Sequence, residues 1–471
     1  MEGPILVSRN AKLLLISMLL INGIFNAKFQ LHYDEAYYWA WGQNLSLSYF
    51  DHPPMIAYMI RLASIFGHSE FWVRFPGLIS AFITLLVLYQ LALRMFGRRV
   101  AEVTIILGFS LPILQATGFI VTPDSPLLMF WALTIYCFYI WVFEEKIRYV
   151  YLAGLFAGCA LLSKYTALFI YPGLFLFLIT SKEYRKLLLK KDVYLAFILS
   201  IIVATPVILW NYQHNWISFI YQFNHGVDVH GDINLGQIGD YLGGQLFISG
   251  PFIFCAALYF LFKNLKQVLV TPKLAFLFYP PAFGFLFFLY CSVTKHIEAN
   301  WPGPIYLSIV VFVAYYLVEK NIRWVYKASF IFICIALLLT KMPVRFTPRS
   351  LHNKIPGINI FFGNRELLVH VAPYIKPGTM VLACDYGNAS RIWFYLGART
   401  YVPAQLPFSN SYRYWQQPEL PIKRAIYVCG GHDVVALEKL GLYFKNAKLL
   451  DKVPFTNVIT DNEVYIFAVG N

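Results

Sequence analysis

Residues 32–54 read HYDEAYYWAWGQNLSLSYFDHPP and directly follow the first hydrophobic segment of the chain. Asp34, Glu35, Asp51 and His52 stand there among six tyrosines and tryptophans. A carboxylate beside a membrane-inserted segment is costly unless it faces water, a partner or a ligand. Trp and Tyr gather at headgroup level, so the stretch is expected along the membrane interface. Asp34 and Glu35 then begin a short helix in that plane, with Asp34, Tyr38 and Trp41 roughly on one side. Pro53 and Pro54 suit the first turn of a second amphipathic helix over about 54–66. Its N-terminus, beside His52, is a natural seat for a phosphate. A plain structural role stands against this reading: Asp34 as the N-cap of its helix, with Glu35 in the first turn.

The surrounding composition fixes the class. Of 471 residues, 59% are hydrophobic and only 13% charged, with a mean hydropathy of +0.58. Soluble domains are roughly half apolar and about a quarter charged, so a polytopic α-helical membrane protein is expected. The first apolar run lacks a small-residue cleavage site and reads as a retained signal-anchor. The net charge of +14 is explained by basic cytoplasmic loops, and no nucleic-acid partner is expected. Five of the seven cysteines (Cys137, Cys159, Cys255, Cys291 and Cys334) fall in apolar runs, and no CxxC spacing occurs. Packing is the default for these five.

Eleven spans are predicted, at about 10–27, 71–96, 99–120, 124–143, 149–163, 166–181, 193–210, 240–262, 273–293, 303–318 and 326–342. Several fall short of the usual twenty or so residues. Lysine and arginine cluster on one side of this arrangement if the N-terminus is cytoplasmic, which puts residues 32–54 and everything past the last span on the other side. That side also collects polar turns: Thr122-Pro123-Asp124, Ser163-Lys164-Tyr165, a loop over about 211–240 with His214, His225, Asp228, His230 and Asp232, and His296 to Pro302. Asp124 is expected to cap the fourth span. Polar turns beside apolar walls predict a cavity at the bilayer surface, lined in part by Tyr37, Tyr38 and Arg74.

Individual residues suggest chemistry. Asp34, held at an apolar interface, suits a general base. Lys164 beside Tyr165 suits phosphate contact, against the alternative of a snorkelling lysine at a span end. His296, Glu298, Asn300 and Trp301 supply the donors, acceptor and ring that sugar or phosphate recognition needs. Asp51, His52 and Asp124 have ligand types for a divalent metal ion, although Asp51 pairing with Arg61 or Arg74 explains its presence as well. The histidine–aspartate loop at 225–232 is expected to be solvated surface.

Domain boundaries are placed at 1–342 for the membrane part and 343–471 for a water-soluble α/β domain with a partly parallel sheet. Helices are expected over about 366–374, 388–396 and 434–444, and strands over about 380–384, 425–429 and 464–469. Cys384 and Cys429 end two of these strands. Two buried thiols are expected there, with a disulfide as the alternative in an oxidising compartment.

In order, DEAYYWAW, YFDHPP, TPDSPL, LLSKYTAL and HIEANWPGP resemble the GT-C integral-membrane glycosyltransferases. The likeness is to the bacterial branch that includes the aminoarabinose transferase of lipid A, with protein O-mannosyltransferases more distant, and it covers roughly residues 10–310. It implies a GT-C fold with interfacial helices in the first periplasmic loop, in a bacterial inner membrane. It also implies a polyprenyl-phosphate-linked sugar as donor, and lipid A or another envelope glycan as acceptor. Carried over by position, Asp34 and Glu35 would be catalytic, and His52, Lys164, Tyr165 and His296 would bind the donor phosphate. Asp51 and Asp124 would lie near the donor, with a metal as an option. His52 departs from the lysine common at its position in lipid A transferases. A transporter of lipid-linked sugar is the rival reading; it would place its polar groups nearer the bilayer midplane.

Overall fold

The structure is a computed structural model describing residues 7–226, 232–341, 364–403, 410–415, 424–430, 444–457 and 460–470. The chain divides into two compact units. The first comprises Met1–Ile24, Leu47–Ile56 and Arg74–Leu337, and the second Phe25–Ser46, Ala57–Val73 and Leu338–Asn471.

Each of the eleven predicted spans falls on helix. By length and apolarity six helices could cross a membrane: α1 (Arg9–Lys28), α4 (Glu70–Phe96), α7 (Asp124–Glu144), α10 (Lys191–Gln213), α13 (Pro251–Val270) and α14 (Pro272–Cys291). The third span is a broken pair, α5 (Arg98–Phe109) and α6 (Pro112–Phe119), bent by 60° where Pro112 starts the second helix. α8 (Arg148–Leu161), α9 (Ile170–Thr180), α15 (Ile305–Glu319) and α16 (Trp324–Lys341) are shorter apolar helices. The chain is a multi-pass membrane protein.

The eighth span needs correction. Residues 240–262 straddle two helices, α12 (Leu235–Ser249) and α13, separated by Gly250 at φ 82°. Glycine enters that left-handed region without strain, and Pro251 then sits in the first turn, where a missing N–H costs nothing. The polar loop at 211–240 also folds further than expected. α10 runs to Gln213, and α11 (Ile217–Gly226) follows. Asp228 and His230 lie outside the described residues.

Within the first unit, α7 is the most enclosed span, with 78% of its apolar window buried against 28% for α1 and α10. Small residues set the closest approach. A Cβ on Gly154 of α8 would meet the Ala196 carbonyl oxygen of α10 at 2.2 Å, and one on Gly158 would meet the Ser200 oxygen at 2.7 Å. Membrane helices gain packing by such contacts where no hydrophobic drive exists between them.

The second unit joins α2 (Tyr33–Gln43) and α3 (Met55–Ala63) to the C-terminal part; α3 is shorter than the predicted 54–66. The sheet has the order β2-β1-β3-β5-β4. β1 (Met380–Ala383) pairs in parallel with β2 (Thr400–Tyr401) and β3 (Ala425–Gly430). β5 (Thr460–Gly470) runs antiparallel to β3 and to β4 (Asn446–Asn457). The partly parallel sheet is as expected, while β2 and β4 escape the sequence reading. α17 (Asn364–Val371) and α18 (Tyr386–Leu396) match their expected helices. The helix expected at 434–444 lies almost wholly outside the described residues.

Cys384 and Cys429 are bonded, with Cα atoms 5.1 Å apart, which corrects the expectation of two thiols. Parallel pairing of β1 with β3 brings the two strand ends side by side, as the Cys384 N–H donating to the Val428 carbonyl shows. The crosslink closes a loop with a sequence separation of 45. Replacing both cysteines by serine is expected to destabilise this unit by about 3 kcal/mol. Thermal melting with limited proteolysis of the C-terminal part would measure that loss.

Candidate active site

Two polar clusters emerge, one in each unit. In the second unit α2 begins with a reciprocal cap. The His32 ring accepts from the Asp34 N–H, and the His32 N–H donates to Glu35 Oε2 at 2.8 Å. The cap is therefore His32, not Asp34, and Glu35, fully buried, closes the capping box. This corrects the catalytic assignment of Glu35.

Asp34 is left to point elsewhere. Its Oδ1 accepts from the Tyr386 hydroxyl at 3.0 Å, and its Oδ2 lies 3.5 Å from His32 Nδ1. Burial pushes its carboxyl up to about 6, the Tyr386 hydrogen bond opposing this and the Glu35 charge reinforcing it. A carboxylate whose pKa is raised to about 6 is mostly ionised at neutral pH yet more basic than an exposed aspartate, which suits general-base work.

The aromatic residues around it are packing groups. Tyr37 is 3% exposed, accepts from the Ser411 N–H at 2.6 Å and packs on Tyr386 at 4.4 Å. Tyr38 is also buried and meets Trp41 edge-on. Both side chains, expected to line a cavity and contact sugar or acceptor, are buried among other aromatic rings.

The first unit's cluster centres on Asp124. It is the first residue of α7 but makes no capping bond. Instead both its oxygens accept from Lys164 Nζ, at 2.8 and 2.9 Å, and Oδ2 also accepts from Asn300 Nδ2 at 2.7 Å. The side chains of Lys164 and Asp124 are only 5% and 6% exposed. So Lys164 is no snorkelling lysine. His52 belongs to the same neighbourhood: its Nδ1 is buried with no hydrogen-bond partner among the described residues. Burial, then the Lys164 and His225 charges, hold its pKa down at about 3, so the ring is neutral at pH 7.

The backbone carbonyl of Asp51 accepts from Gln222 of α11 at 2.6 Å. Tyr165 shares a hydrogen bond with Ser218 of α11 at 2.7 Å, which takes its hydroxyl toward α11. Trp301 packs against His225 and Phe288. His296 and Glu298 are 61% and 57% exposed in their side chains and 4.0 Å apart, outside the buried cluster. Arg74 is fully buried, with its guanidinium 5.4 Å from the Phe119 ring centroid.

Among the described residues no three His, Cys, Asp or Glu side chains converge. Both oxygens of Asp124, one of the two expected metal ligands, are taken up by Lys164. Gln222, Ser218 and Tyr386 are the polar contacts that sequence reasoning missed. Gln222 and Ser218 lie in a stretch read as loop, and Tyr386 is remote in sequence from its partner.

Residues 51–210 match the family model described as dolichyl-phosphate-mannose-protein mannosyltransferase. Over 297 residues the chain is 28% identical to the lipid A galacturonosyltransferase RgtD of Rhizobium johnstonii, covering 62% of each. It is 24% identical to an uncharacterized protein of Aquifex aeolicus, covering 62% of this chain and 58% of that protein. The matched segment thus spans less than two thirds of either relative. Among solved structures, ArnT from Cupriavidus metallidurans, apo and bound to undecaprenyl phosphate, superposes with a TM-score of 0.66, 12% identity and 97% coverage of both chains.

Proposed function

We propose that this chain, whose fold is like that of ArnT, is a GT-C glycosyltransferase that moves a monosaccharide from a polyprenyl-phosphate donor to lipid A or the lipopolysaccharide core. The observation that carries the reading is Asp34: a half-buried carboxylate, held by Tyr386, whose pKa of about 6 suits proton abstraction. The likeness to a lipid A galacturonosyltransferase supports the acceptor and makes galacturonic acid the first donor sugar to try.

In this scheme the acceptor oxygen attacks the anomeric carbon as its proton passes to Asp34. The bond from that carbon to the lipid phosphate breaks, and the configuration inverts. The departing phosphate gains charge, which Lys164 would stabilise, with neutral His52 able to contribute a hydrogen bond. No general acid is required, because a phosphate leaves readily. If the acceptor is itself an ionised phosphate, Asp34 would orient it instead. The reaction would occur on the periplasmic side of the inner membrane, with the N-terminus cytoplasmic.

The test supplies membranes holding the protein with radiolabelled polyprenyl-phosphate sugars and lipopolysaccharide, and counts label in the lipid A fraction. Transfer supports the proposal. Label crossing the bilayer without transfer would replace it with a transporter. Since no step here needs a metal, transfer is expected to persist in excess EDTA, and loss of activity restored by a divalent cation would overturn that part.

A further inference from the structure

We propose that Tyr386 is the positioning residue of the base, a tyrosine supplied from 352 positions downstream whose hydroxyl fixes the Asp34 carboxylate by donating to Oδ1 at 3.0 Å. The inference rests on the reading of Asp34 as the base, and adds to it a group from the C-terminal part of the second unit.

The geometry leaves Tyr386 little freedom. It is the first residue of α18, one turn from a strand end pinned by the Cys384–Cys429 bond. Asp385 caps the helix, accepting from the Asn388 N–H at 2.8 Å and from its side-chain amide at 2.6 Å. Asn388 in turn accepts from Arg391 at 2.8 Å. Gly387 lets α18 approach α2, since a Cβ there would lie 3.0 Å from the Tyr33 Cβ. The Tyr386 ring packs at 4.4 Å on Tyr37 and edge-on to Tyr33. Further along, Trp39 meets Trp393 and Phe394, and the Leu31 N–H donates to the Tyr395 hydroxyl. Two helices so clamped aim one phenol at one carboxylate oxygen.

The chemistry fits. Among the described residues the other oxygen of Asp34 has His32 beside it, at 3.5 Å, and in this scheme it is the one that receives the proton. A donor on Oδ1 holds the carboxylate plane and favours its ionised form. The titratable groups facing Asp34 are Tyr386 from α18, and His32 and Glu35 from the start of its own helix.

Tyr386→Phe deletes the hydroxyl and keeps the ring. With galacturonic acid on undecaprenyl phosphate as donor and lipid A as acceptor, the variant is expected to lose about ten-fold in kcat near pH 6. The loss should shrink toward pH 8.5, with the acid limb of the pH–rate profile shifted upward and the donor KM little changed. The melting temperature in detergent should stay close to wild type. A wild-type rate, or a loss of the same size at every pH, overturns the proposal, because a merely structural tyrosine would scale the rate without moving the limb. An active Asp34→Asn would overturn the base reading itself. A Tyr386→Phe deficit that persists undiminished in the Asp34→Asn background would overturn the coupling of the two residues.

Discussion

Replacing Asp34 by asparagine is expected to cut transfer by about 10²–10⁴-fold, the usual worth of a positioned general base, while leaving the protein at least as stable. The sign follows from the carboxyl's rise from 3.8 to about 6. Between those values the folded protein holds the proton more tightly than the unfolded chain, so stability falls as pH rises through that window. Above pH 6 the ionised side chain carries the full cost of its burial, which asparagine escapes. The wild-type rate should move the opposite way, rising with pH and levelling off above about 6. A rate profile beside a melting curve at pH 5 and pH 8 reads both. An inactive variant that melts no lower than wild type at pH 8 would separate lost chemistry from lost folding. A fully active one would remove Asp34 as the base.

Lys164→Met is expected to fail for two reasons at once. It leaves Asp124 charged and buried, with Asn300 as its remaining donor, and breaking a buried pair in this way costs about 3–5 kcal/mol. It also removes the full positive charge from a neighbourhood where His52 is neutral, so donor KM should rise steeply. Pairing it with Asp124→Asn separates the effects. The double variant has no orphaned charge and should recover most of the lost stability, without recovering donor use. Thermal melting and donor titration on the three variants decide this. Recovery of transfer in the double variant would show that Lys164 holds the fold and not the donor.

Local patterns announced most of this architecture. Apolar runs marked the six helices long enough to cross a membrane and the shorter apolar helices between them, because insertion demands continuous hydrophobicity. The break at Gly250 was lost inside one such run, since a single φ of 82° leaves no trace in hydropathy. Asp34 was legible as a misplaced charge beside a span. Its companions were not. The family resemblance made Glu35 half of a catalytic pair, whereas the capping box with His32 claims it. His296 and Glu298 carried suitable functional groups but stand in solvent, while Asn300 alone of that motif reaches Asp124. The cysteine pair depended on which strands are neighbours, a property of sheet order. β4 alternates weakly and owes its pairing to β5, so its own residues gave little warning.

The assembly of the second unit from Phe25–Ser46, Ala57–Val73 and Leu338–Asn471 imposes a timetable on biogenesis. At about 5–20 residues per second, α2 leaves the ribosome tens of seconds before α18 exists to cover it. During that interval its capping box holds the first turn, but Tyr37 and Trp39 have nothing to pack on from the missing helix. β5, which lies between β3 and β4, is made last of all. A nascent chain stopped shortly before it would leave two strands without their common neighbour, a state that quality-control proteases are well suited to find.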